Sequence, residues 1–179
     1  MSVGDLADGR IARPGPDEHH EYYGTYVAQV ADDDVLRELS GQLRAVRAAF
    51  DPFGETGSLH RYASDKWSVR EMLGHLCDTE RLFVYRGLTF ARGDTTELPG
   101  MDENAWVRGA SFDQVPLADL LDEFGHVRRA TISLYRTLDA DALARRGVAN
   151  GSPISVRAIP WIIAGHAAHH LRVLHERYR

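Results

Sequence analysis

Apolar residues recur at helical spacing in four stretches of the chain. In the first, Leu36, Leu39, Leu43, Val46 and Phe50 step by threes and fours. The carboxylates of Asp32–Asp34 suit its N-terminus, and Pro52 ends it. Val69, Met72, Leu73, Leu76, Phe83 and Val84 form the stripe of a second helix. Ser68 and Glu71 match a capping box, in which each side chain accepts from the other's backbone N–H, so this helix starts at Ser68. A third follows through Leu117, Leu120, Leu121, Phe124, Val127, Thr131, Leu134 and Leu138. Ile159, Ile162, Ile163, Val173 and Leu174 mark the last, with Ser155 as N-cap and Pro160 tolerable only in the opening turn. Weaker spacing through Tyr22, Tyr23, Tyr26, Val27 and Val30 predicts a short leading helix. Nothing between the helices alternates with the period of a strand.

The connections then narrow the fold. Residues 1–17 are rich in Gly, Pro and Asp and read as a surface arm. A turn through Gly147, Asn150, Gly151 and Pro153 precedes the last helix. Between Gly93 and Pro116 the connection is long, and a long link can join two parallel helices where a short turn cannot. The expected architecture is all-α: a four-helix bundle with a long crossover between its second and third helices, residues 1–179 forming one domain.

Composition removes several classes of function. The net charge is −5, with both signs mixed along the chain, which argues against a nucleic-acid face. No apolar run approaches the roughly 20 residues of a membrane span, and residues 1–10 are too polar for a signal peptide. The single cysteine, Cys77, cannot form an intramolecular disulfide and fits a reducing cytoplasm. It points away from His75 around its helix, and no basic cluster adjoins it in sequence, so it is expected to pack rather than attack. Glycine-rich phosphate loops, nucleophile elbows and Cys-x-x-Cys pairs are absent from the sequence.

The chemistry concentrates in the last helix. His166 and His170 are four residues apart near the centre of its apolar stripe, His169 is at the margin and His175 on the far side. A lone histidine on such a face is commonly a satisfied core residue. Two at this spacing would each need a partner, and one ion satisfies both. A third ligand has to come from elsewhere. On the second helix, His75 lies beside the stripe with Met72, Thr79 and Leu82. Asp78, one turn beyond it, is a candidate acceptor from a ring nitrogen not used for metal. Glu80 falls inside the apolar stripe, where a buried pair with Arg128 or Arg129 is favoured over catalysis. Asp78 and Glu80 are second-tier catalytic candidates, joined by Asp102 and Glu103 of the crossover. No catalytic residue is assigned outright.

Trp67-Ser68-x-x-Glu71-x-x-x-His75-Leu76-x-Asp78-x-Glu80-Arg81 and Gly165-His166-x-x-His169-His170 together resemble the DinB superfamily, which includes the YfiT-like proteins. Leu98-Pro99-Gly100-x-Asp102 and the closing Glu176-Arg177-Tyr178 extend the likeness over nearly the whole chain. The resemblance implies a four-helix bundle and a metal site of three histidines, which map here to His75, His166 and His170. It implies one divalent ion, zinc or nickel, with positions left open for water or substrate. It also implies a thiol-dependent S-transferase joining a small-molecule thiol to an electrophile. The alternatives are a metal-dependent hydrolase and a non-catalytic, stress-associated metal-binding homodimer. Ala167 stands where the base of a His-Glu-x-x-His peptidase helix would be, which counts against that mechanism.

Overall fold

The structure is a computed structural model that describes residues 10–178. It is mostly helical. In chain order the helices are α1 (Glu21–Val27), α2 (Val35–Phe50), the single turn α3 (Gly54–Gly57), α4 (Val69–Ala91), α5 (Glu103–Gly109), α6 (Leu117–Tyr135), α7 (Ala140–Ala144) and α8 (Ala158–Arg177). Among the described residues, no helix is long and apolar enough to cross a membrane.

The local signals act as their chemistry requires. Asp34 caps α2 by accepting from the Arg37 N–H at 3.1 Å. Ser68 and Glu71 form the reciprocal box at the head of α4, at 3.0 and 2.9 Å. Ser68 also donates to Asp113 at 2.6 Å, tying that helix start to the crossover. At α8 the N-cap is Arg157 rather than Ser155, yet the Ser155 hydroxyl still accepts from the Ala158 N–H at 3.1 Å. Pro160 occupies the third helical position, where no intrahelical donor is lost.

The four long helices pack in a ring: α2 lies against α6 and α8, and α4 against the same two. Contacts between α4 and α6 climb both helices together. Arg70 donates to Val115 O just before α6, Thr131 donates to Glu80, and Tyr135 reaches Gly87. The two helices therefore run parallel, and residues 92–116 return the chain along the length of the ring. That connection contains α5 and is held at both ends.

One expectation fails here. Residues 146–149 and 152–155 form an antiparallel hairpin, β1 (Arg146–Ala149) and β2 (Ser152–Ser155), where no strand was expected. Its turn residues Asn150 and Gly151 both have positive φ, 53° and 70°, which a tight two-residue hairpin loop requires. The hairpin also grips the crossover: Leu98 donates to Val148 O at 3.0 Å, and Asn150 donates back to Leu98 O at 2.9 Å.

The arm is anchored to the bundle at a few points. Its residues 1–9 lie outside the described residues; of the remainder, most are exposed, and Ile11 and Pro14 are buried. Ile11 joins the core, and the Arg13 guanidinium lies 4.2 Å over the Trp161 ring while donating to Val27 O and Val30 O. Arg13 thereby adds donors to carbonyls at and just beyond the end of α1.

Buried apolar residues form two clusters rather than one. One contains Leu39, Phe83, Ile132, Trp161 and Ala164; the other contains Val46, Leu76, Phe124 and Ala167. Gln42, Thr79, Glu80, Arg128, Thr131 and His166 fall between them along each long helix, so a polar layer crosses the waist of the molecule.

Candidate metal centre

His75 on α4 and His166 and His170 on α8 converge at one end of this layer. The His166 Nε2 atom lies 3.1 Å from Nε2 of His75 and 3.1 Å from Nε2 of His170. His75 and His166 are buried, and His170 is half-buried. Among the described residues this is the group of three potential ligands that fits a metal ion. Nitrogens bound to one ion at about 2.1 Å stand roughly 3.0–3.4 Å apart, so the spacing fits a shared ion.

Protonation favours the same use. Burial holds His75 down to about 4. Burial also holds His166 well below the usual imidazole range, followed by repulsion from His170, His75, His169 and Arg128. His170 is lowered well below that range by burial, then by His75 and His169. Neutral imidazoles keep a lone pair for a metal.

Neighbouring groups set the ring positions. Trp67 packs on His75 with ring centroids 4.6 Å apart, and Tyr178 fixes the Trp67 backbone by donating to its carbonyl at 2.7 Å. Tyr26 of α1 meets His166 edge-on at 5.3 Å. That approach depends on Gly165, because a Cβ there would stand 1.9 Å from the Tyr26 carbonyl oxygen.

The other sequence candidates separate cleanly. His169 leaves the triad: its ring faces Tyr26 at 5.7 Å and its Nδ1 lies 3.2 Å from an Arg172 nitrogen. His175 is exposed on the other side of α8. Asp78 does not serve His75; it lies 3.6 Å from Arg81, and burial raises its carboxyl. The Thr79 hydroxyl instead sits over the edge of the His75 ring, 3.3 Å from Nδ1. Glu80 is locked in the polar layer. Arg128 Nε donates to its two oxygens at 2.9 and 3.0 Å, and Thr131 donates at 2.6 Å. Gln42 accepts from Arg128 at 2.6 Å and donates to Ala164 O at 2.9 Å, which links α2 and α8 to the pair. Cys77 is fully buried, and burial pushes its thiol far up, as a packing residue requires.

A cleft of about 400 Å³ opens over the triad. α4 forms one wall through Thr79, Phe83 and Arg86, and α1 the other through Tyr23 and Tyr26. Glu103 and Asn150 reach its rim from the crossover and the hairpin. Asp102 is occupied as the cap of α5, accepting from Ala105 N–H at 2.9 Å. Sequence reasoning passed over Arg86, although it stands eleven residues after His75 and so returns to the same face of the helix.

Helices carrying a three-histidine cluster, largely buried, under an open cleft define a protein built around a candidate metal centre. The chain belongs to the DinB superfamily, whose profile matches residues 38–174. Its fold is similar to that of YfiT from Bacillus subtilis, described as a probable metal-dependent hydrolase with an unusual four-helix bundle topology. That match has a TM-score of 0.68 at 19% identity, covering 91% of this chain and 89% of that one. No curated protein sequence matches the chain.

Proposed function

We propose that the protein is a metal-dependent enzyme acting on a small molecule, with His75, His166 and His170 binding one divalent ion, zinc or nickel. The fold is then a single-domain four-helix bundle whose crossover roofs the cleft. The observation that carries this reading is the convergence of three imidazoles, two buried and one half-buried and all disfavoured as cations, at the floor of an open cleft. Three protein ligands leave room for a further one, the arrangement of a catalytic rather than a closed structural site. An ion held there supplies a Lewis-acid position that favours the deprotonated form of a bound thiol or water.

Thiol transfer is the favoured reaction. A thiol admitted through the cleft gives up its proton to solvent water as it binds, and its sulfur forms a bond to the electrophilic carbon of the second substrate. The leaving group departs with its electron pair. The chain's part is to bind and orient both molecules and to exclude water. Support comes from the acids: Asp78 and Glu80 are turned away or paired, so neither is placed as a base for water. Hydrolysis is the second reading, favoured by Glu103 on the cleft rim and by the likeness to YfiT.

One experiment separates them. Metal-loaded protein is incubated with a model electrophile and a model ester, each with and without a low-molecular-weight thiol. Conjugation that needs both thiol and metal, and is lost in His166→Ala, supports the transferase. Thiol-independent ester turnover supports the hydrolase. Protein that takes up no divalent ion at all refutes both readings.

A further inference from the structure

Three arginines are buried among the described residues, and two of them are neutralised. Arg128 pairs with Glu80 and Arg70 with Glu55. Arg86 is only 2% exposed, yet among the described residues it has no carboxylate partner. It donates to Pro99 O at 2.7 Å, its guanidinium lies 5.2 Å over the Phe83 ring, and its Nε–H has no acceptor. A buried cation with one carbonyl and one ring face is under-compensated, because desolvation costs more than a single neutral hydrogen bond returns.

Its position says what would complete it. Arg86 lines the cleft that opens over the triad, three helical turns from His75 and about 16 Å along the axis. Side chains on a helix lean toward its N-terminus, so the guanidinium reaches back toward the histidines. Between them the walls are aromatic, from Tyr23, Tyr26 and Phe83. Glu103, the acid on the same cleft, is exposed and makes no ion pair with Arg86. A single guanidinium with free donors matches one carboxylate in charge and in forked geometry; a phosphate, of higher charge, would want more cations than this cleft has.

We propose that Arg86 is the anion anchor of the cleft, and that the molecule taken there is a small carboxylic acid with an apolar body, its reactive group turned toward the histidines. This rests on the proposed function for the identity of the reacting end, but not for binding itself.

The test therefore uses metal-free protein, with chelator present. Phenylacetate, phenylacetamide and inorganic phosphate are titrated while the Arg86 Nε–Hε resonance is followed by nuclear magnetic resonance. Phenylacetate is expected to shift that resonance saturably and to bind at least tenfold tighter than its neutral amide. Arg86→Met, close in shape and uncharged, should abolish the preference, and Arg86→Lys, a cation without the fork, should weaken it several-fold. Equal binding of acid and amide, no shift of the resonance, or tighter binding of phosphate would each overturn the assignment. Carboxylate binding that persists while the triad takes up no metal would refute the proposed reaction and leave Arg86 standing. Metal uptake without carboxylate preference would do the reverse.

Discussion

Loss of water chiefly disfavours the charged forms of His75, His166 and His170, and at His166 and His170 repulsion from neighbouring histidines adds to it. The nearby Arg128 guanidinium opposes an imidazolium at His166 as well. One consequence concerns the fourth histidine. His169 differs from His170 by a single position, but its ring has left the cluster for Tyr26 and Arg172. Replacing His169 by Ala is expected to leave metal affinity within about threefold, while His166→Ala or His170→Ala lowers it more than about a hundredfold. Isothermal titration of metal into the apo-proteins measures this; equal losses at all three positions would refute the ligand set. Much at this scale was legible beforehand. The hundred-degree turn of a helix placed His166 and His170 together and His169 at the margin. It could not bring His75 to them, because no rule of spacing joins two helices, and that partner came from the family likeness. Nor could it choose Thr79 over Asp78 as the neighbour of His75, which depends on side-chain direction within one turn.

At the scale of elements, small residues decide how closely the walls of the cleft approach. Gly165 lets α1 lie on α8 with the Tyr26 carbonyl where a side chain would otherwise stand. A backbone atom cannot swing aside as a side chain can. Gly165→Ala is therefore expected to displace α1 and cost about 1–3 kcal/mol of stability. Urea denaturation measures that cost, and an unchanged midpoint would show that α1 moves freely. The long helices were readable because each carries its own period and its own stop signals. The hairpin was not. Its strands are four residues each, interrupted by Pro153, and alternation has nothing to register over so short a run. The usable signal was Asn150-Gly151, a dipeptide suited to a turn with two positive φ values. Ile11 escaped notice for a related reason: one apolar residue in a polar segment carries no period at all.

For the whole molecule, the polar layer at the waist matters most. Glu80 and Arg128 are both buried, and Arg128 also donates to Leu39 O at 3.3 Å and to Gln42. Removing one partner leaves the other charged and unpaired. Glu80→Ala is thus expected to cost about 3–5 kcal/mol, measured by chemical denaturation, while folded protein keeps its metal-binding capacity. A loss of metal binding with unchanged stability would instead return Glu80 to the functional site. The same layer bears on cooperativity. Two apolar clusters separated by a sheet of hydrogen bonds share little continuous greasy surface, so the joint between them is electrostatic and directional. With the joint intact, both halves are expected to melt as one unit. Weaken it, and Trp161 in one half reports a different transition from the backbone signal of the other, so that a single unfolding free energy no longer describes the chain.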